Sequence, residues 1–218
     1  MEIGKYIDHT NLKMDAKEKD IVKLCEEAIK YQFENVCVNP YYVSLAKDLL
    51  KDTNVGVCTV VGFPLGMNTP KVKSFEALEA IENGADEIDM VINVGALKDK
   101  DYDYVKKEIE LIRDDIDGHI LKVIIETSLL TKEEIKKMTE ICNETFVHYI
   151  KTNTGFGKRK VTLEDVKTIS KYRNELLEIK ASGGIDSFEK MHELIKAGAT
   201  RIGTSSSVKI ISEMKEDK

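Results

Sequence analysis

Short apolar runs rich in Val and Ile recur along the chain, at residues 5–9, 35–38, 55–61, 87–92, 120–126, 147–151, 177–181 and 200–203. Between them lie stretches whose apolar positions fall three and four apart, such as Ile21, Leu24, Cys25 and Ala28, or Ile135, Met138, Ile141 and Cys142. Runs of this length have strand character, and a three-four spacing gathers apolar side chains on one helix face. The pattern therefore predicts eight strands alternating with surface helices.

Helix boundaries support the alternation. Asp15–Glu18, Thr131–Glu134, Thr162–Asp165 and Asp186–Glu189 fit or nearly fit capping-box spacing. Asn39-Pro40 and Thr69-Pro70 place a capping side chain before proline at the first helical position. Gly84 and Gly198 each follow a helical stretch and precede a strand. Strands alternating with helices imply parallel pairing, and eight such units without a linker predict one α/β domain over residues 1–218, a (β/α)₈ TIM barrel. A doubly wound open sheet is the second reading, but GxGxxG does not follow the first strand.

Composition narrows the function. The 39 acids against 33 bases give a net charge of −6, which argues against nucleic acid as a partner, since a polyanion needs a basic surface. A small anion in a local pocket stays compatible with that charge. The four cysteines form no CxxC pair and fit small buried groups in a reducing compartment. Glu2, Lys5 and Asp8 stand where a signal peptide needs an apolar run, and glycines and Pro64 interrupt the uncharged stretch 53–70. The expectation is a cytoplasmic protein without a membrane segment.

In a barrel of this kind, chemistry sits at the C-terminal ends of the strands. Ionisable residues stand there within otherwise apolar runs: Asp8 on strand one, Asp89 on strand four, Lys122 and Glu126 on strand five, Lys151 on strand six and Lys180 on strand seven. The two rim lysines on adjacent strands are the sharpest signal. Ammonium groups about 4 Å apart at an effective dielectric near 20 repel by roughly 4 kcal/mol, about three pKa units. Desolvation acts in the same direction. One amine of such a pair can be neutral near pH 7, as an imine-forming nucleophile must be. The competing reading is a lysine whose stem is buried while its head reaches solvent. Asp89 and Asp8 would pair with the lysines, either to move protons or as a structural ion pair. Lys122 and Glu126, of equal parity, would form a supporting network.

Three loops are rich in glycine and hydroxyls: residues 152–157, 182–185 and 203–207. Glycine lets backbone N–H groups approach an anion, and loops after strands seven and eight recurrently hold phosphate. Plain turn chemistry is the alternative for any one of them. A metal site is not expected, because the four histidines, at 9, 119, 148 and 192, are scattered and form no HxH or HExxH group. They read as structural or surface residues, and GxSxG is absent.

These residues, in this order, resemble the deoxyribose-phosphate aldolase family of class I aldolases. The resemblance runs from Ile7-Asp8-His9-Thr10-Asn11-Leu12 to Ile202-Gly203-Thr204-Ser205-Ser206. Its most specific pieces are the stretches beginning at Gly84, Lys122, Ile150 and Lys180. It implies that Lys151 forms a Schiff base with acetaldehyde, that Lys180 lowers its pKa, that Asp89 moves protons with a water, and that Asp8 holds Lys180. It implies a phosphate site of Gly155, Gly183, Gly184, Ser205 and Ser206, with Thr10, Lys122, Thr152 and Gly203 among the substrate-binding groups. The reaction would be reversible cleavage of 2-deoxy-D-ribose 5-phosphate to D-glyceraldehyde 3-phosphate and acetaldehyde. No cofactor is implied, since the imine is the electron sink. The partners would be phosphorylated sugar and aldehyde, and the assembly a homo-oligomer, with a dimer implied.

Asp186 departs from the family, many members of which carry arginine there; an acid should oppose a phosphate dianion, and a helix cap is its ordinary explanation. Asn153 replaces a common serine, and the tail 212–218 has no tyrosine. Three other readings stay open: a lysine aldolase for another sugar phosphate, an isomerase or epimerase with a carboxylate base, and a non-catalytic phosphate-binding barrel.

Overall fold

Each apolar run contributes a strand, and each strand pairs in parallel with the next. The computed structural model describes residues 3–216. The strands are β1 (Ile7–Asn11), β2 (Asn35–Val38), β3 (Gly56–Val61), β4 (Glu87–Val91), β5 (Ile120–Ile124), β6 (Tyr149–Lys151), β7 (Glu178–Ser182) and β8 (Arg201–Thr204). β8 returns to β1, with Ile7 opposite Ile202 and Asp8 opposite Gly203, so the sheet closes in sequence order. The fold is a (β/α)₈ barrel.

The helices are α1 (Glu18–Tyr31), α2 (Val43–Leu50), α3 (Pro70–Glu82), α4 (Val94–Lys98), α5 (Tyr102–Asp115), α6 (Lys132–Glu144), α7 (Leu163–Tyr172), α8 (Phe188–Lys196) and α9 (Ser207–Glu216). Two of them follow β4. Among the described residues, no helix is long and apolar enough to cross a membrane. The tyrosine-free tail 212–218 lies partly outside the described residues.

Strand parity explains both the core and the site. Ile88, Met90, Val123, Ile150, Ile179 and Ile202 alternate along their strands and join the large apolar core of the molecule. Their neighbours of opposite parity, Glu87, Asp89, Lys122, Lys151, Lys180 and Arg201, form ion pairs with one another from different strands. The interior beside β2 and β3 is apolar instead, with Leu12, Cys37, Cys58 and Val60 in one cluster. Many barrels fill this space with Val, Ile and Leu; here β1 and β4 to β8 send charged side chains into it.

Several boundaries differ from the sequence expectation. Ile3–Tyr6 is a short 3₁₀ turn, so β1 begins two residues later and runs on to Asn11. Thr131 and Thr162 cap α6 and α7 with reciprocal bonds, as their spacing predicts. Asp15 does not start α1. The helix begins at Glu18, and Asp20 accepts the Lys17 N–H at 2.9 Å. Asp186 does not cap α8: Ser187 does, its hydroxyl accepting the Lys190 N–H at 3.2 Å. The Asp186 carboxylate is held instead by Lys160 at 2.9 Å. Asn39-Pro40 opens only a 3₁₀ turn before α2.

Candidate active site

Register puts the charged groups side by side. Asp89 pairs with Lys122 across β4 and β5, and Lys151 with Lys180 across β6 and β7. Asp89 is the hub. Its Oδ2 accepts from Lys151 Nζ at 2.7 Å and from Lys180 Nζ at 2.6 Å, while Oδ1 accepts from Lys122 Nζ at 2.7 Å. Asp8 is ion-paired with Lys180 and accepts from Arg201 at 2.9 Å. Deeper in the barrel, Glu87 pairs with Lys122 at 2.6 Å and with Arg201 at 3.1 Å. Asn35 bridges Asp8 and Glu87 at 2.9 and 2.8 Å.

Asp8, Asp89, Lys122 and Lys180 are fully buried. Charges so deep persist only when paired and hydrogen-bonded. Burial by itself would raise the Asp89 pKa, but Lys122, Lys151 and Lys180 outweigh it and hold this carboxyl well below the carboxylate range. The same opposition acts at Asp8, where Lys180 and Arg201 overcome burial and keep the group ionised. For Lys180, burial favours the neutral amine, yet Asp8 and Asp89 prevail and hold its pKa above the usual value.

Above this layer opens a cavity of about 860 Å³, lined by Thr10, Lys151, Gly155, Gly183, Gly184, Gly203, Ser205 and Ser206 among others. Lys151 alone of the three lysines reaches it; Asp89, Asp8 and Lys180 lie beneath. Two groups expected to bind substrate stand outside this lining. Lys122 is buried under Asp89, and the Thr152 hydroxyl donates to Ser182 O and accepts from Ser182 N, both at 3.0 Å, tying β6 to β7. Gly203 has a reason besides the cavity. A Cβ there would lie 3.1 Å from Lys180 Cε, so the glycine gives that side chain room to cross the barrel.

Glu126 does not join the lysine network. Its φ of 53° breaks the strand alternation after β5. Its carboxylate accepts the Thr154 N–H at 2.9 Å and the Thr154 hydroxyl at 2.7 Å, so it shapes the loop after β6. Asn153 Oδ1 accepts from the Thr127 hydroxyl at 2.9 Å and the Ser128 N–H at 3.2 Å, fixing the same loop. His9 lines the cavity, although its isolation along the chain suggested a structural or surface residue. Its ring nitrogens meet Ser207 Oγ at 2.9 Å and Glu27 Oε2 at 2.8 Å. Phe156 and Phe63 meet edge to face, their ring centres 5.5 Å apart, bringing the loops after β3 and β6 together.

Two sets of donor atoms, Cys37–Cys58–Asp89 and Asp8–Cys58–Glu87, fall within 4.8 Å of one another. Their carboxylates already bind ammonium or guanidinium groups, and burial pushes the Cys58 thiol well above its usual pKa, which keeps its proton on. This chemistry favours ion pairing over metal ligation.

The whole chain compares closely with known proteins. Residues 3–212 match the model of the DeoC/LacD family aldolases. A deoxyribose-phosphate aldolase of Finegoldia magna is 55% identical over 211 residues, covering 97% of this chain and 99% of the relative. One from Clostridium tetani is 53% identical over 216 residues, covering 99% and 100%. The solved deoxyribose phosphate aldolase of Aeropyrum pernix, described as tetrameric, superposes with a TM-score of 0.89 at 30% identity, covering 98% of this chain and 91% of that one. A closed parallel barrel, a lysine–aspartate hub under its cavity and matches across nearly all of its length put this chain in the DeoC/LacD aldolase family.

Proposed function

We propose that this protein is a carbon–carbon lyase that reversibly cleaves 2-deoxy-D-ribose 5-phosphate to D-glyceraldehyde 3-phosphate and acetaldehyde, through an imine on Lys151. The observation that carries the assignment of roles is the convergence of Lys151 and Lys180 on one oxygen of Asp89, with Lys151 alone facing the cavity. Three carboxylates, Asp8, Glu87 and Asp89, face four cations, Lys122, Lys151, Lys180 and Arg201. One positive charge is in excess, and Lys151 is the cation whose proton has a route to the cavity. Losing that proton balances the cluster and yields the free amine that imine formation requires.

The Lys151 amine then attacks the aldehyde carbon of the open-chain sugar, giving a carbinolamine whose hydroxyl takes up a proton and leaves as water, forming an iminium. As the 3-hydroxyl proton passes to solvent water, the C2–C3 bond breaks and its electron pair passes into the iminium, leaving an enamine and releasing D-glyceraldehyde 3-phosphate. Protonation of the enamine carbon and hydrolysis of the imine release acetaldehyde and restore the amine. Asp89, 2.7 Å from Lys151 Nζ, is placed to exchange protons at the nitrogen through a water. Lys180 stays charged beside it, and Asp8 fixes Lys180. No cofactor enters these steps. The phosphate would rest against Gly155, Gly183, Gly184, Ser205 and Ser206, which line the cavity beyond the ends of β6, β7 and β8. A cytoplasmic homodimer belongs to the same reading, and sedimentation of the full chain measures its assembly.

The test is a panel of phosphorylated sugars offered to the purified protein. Acetaldehyde should appear from deoxyribose 5-phosphate and not from keto-sugar phosphates. Cleavage of a keto-sugar phosphate with deoxyribose 5-phosphate left intact would overturn the substrate assignment.

A further inference from the structure

Asp186 is the residue that least suits a phosphate site: it lines the cavity directly after Gly183, Gly184 and Ile185. The structure shows that its charge is not alone. Lys160 Nζ donates to Asp186 Oδ2 at 2.9 Å, and Lys209 Nζ donates to the Asp186 carbonyl at 2.8 Å. The Lys160 stem lies flat across Gly184, where a Cβ would stand 2.3 Å from Lys160 Cγ. Gly184 has a φ of 75°, so this position favours glycine twice, once for the backbone and once for the lysine that crosses it. The Val161 N–H donates to Gly183 O at 2.9 Å and locks the lysine-bearing segment beside the glycine turn.

We propose that Lys160 is the cation that recognises the substrate phosphate in this chain, and that Asp186 is its positioning residue. The inference rests on the reading of the substrate as a sugar phosphate and names a group that selects it. The pair is largely exposed, with side-chain exposures of 66% and 57%, so it adds little to stability and is free to rearrange. An ammonium has three donors. One held by Asp186 leaves two for phosphate oxygens at the mouth of the glycine turn. A positive charge is thereby supplied beside the glycine turn from the loop after β6. Lys160 touches two residues of the cavity lining, Gly184 and Asp186, without lining it itself; the lysines at 13, 17, 19 and 23 do line it, but Asp15, Asp20 and Glu27 stand among them.

Two variants separate the competing accounts. Lys160→Met should raise KM for deoxyribose 5-phosphate roughly fivefold to tenfold with kcat little changed, the loss of one charge-assisted contact. The ratio of kcat/KM for deoxyribose 5-phosphate to that for unphosphorylated deoxyribose should fall by the same factor. Asp186→Asn should also raise KM, about twofold, because the ammonium loses its holder. If Asp186 merely repelled phosphate, Asn would lower KM. An unchanged substrate ratio in Lys160→Met, or a lower KM in Asp186→Asn, overturns the proposal. Failure of the unmodified protein to cleave deoxyribose 5-phosphate would instead remove the substrate reading on which it rests.

Discussion

Lys180 lies closer to the heart of the cluster than Lys151, touching both Asp8 and Asp89. Its pKa is raised, so it carries its charge throughout the physiological range and remains a fixed cation beside the reacting amine. Replacing it by leucine removes that cation and leaves Asp8 and Asp89 to stabilise the protonated form of the amine that remains. Lys180→Leu should therefore lower kcat at pH 7 by roughly 100-fold or more and move the acidic limb of the kcat/KM profile to higher pH. Circular dichroism checks that the barrel persists; near-normal turnover with an unmoved profile would contradict this role. At this scale the lysines and Asp89 were legible because strand parity alone points them inward. Glu126 was not, because a left-handed residue at the strand end defeats a two-residue repeat. Nor was His9, whose partners Glu27 and Ser207 lie 18 and 198 residues away along the chain.

The elements that carry Asp89 are braced from behind by a second buried ion pair. Lys73 on α3 donates to Glu108 on α5 at 2.7 Å and to Val91 O at the end of β4, also at 2.7 Å. Glu108 in turn accepts the Asn93 N–H at 3.0 Å. Neither side chain of the pair is exposed to solvent. Lys73→Ala leaves Glu108 buried without its cation and should cost about 3–5 kcal/mol of unfolding free energy, read by urea titration. Lys73→Ala within 1 kcal/mol of the unmodified protein in that titration would show that water or rearrangement satisfies Glu108. This brace could not be read from the sequence, since a helical lysine ordinarily explains itself by solvation. The helix ends divide in the same way. The caps at Thr131 and Thr162 follow from local spacing, whereas Asp186 matched the spacing and bonded to Lys160 from another loop instead.

Across the whole molecule, eight units in sequence order made the barrel readable, because parallel pairing with short connections admits few other topologies. What the alternation did not convey is that the interior holds a charged network beside a small apolar cluster of Leu12, Cys37, Cys58 and Val60. That asymmetry makes stability depend on pH. The folded pKa values of Asp8 and Asp89 lie below their unfolded values. Their contribution is thus complete above the unfolded value near 3.9 and is lost as pH falls through the folded values. The unfolding free energy should decline progressively below about pH 4, measured by urea titration at each pH, with a separate fall between about pH 7 and 5 from His9 and His148, whose pKa values burial lowers. A level free energy down to pH 2 would contradict ionised aspartates at the hub. The central claim, that Lys151 is the amine that joins substrate, is tested most directly by trapping. Incubation with acetaldehyde and borohydride, followed by proteolysis and mass spectrometry, should place a reduced two-carbon adduct on Lys151 and abolish activity. An adduct on Lys180 or Lys122 with Lys151 unmodified would contradict the account.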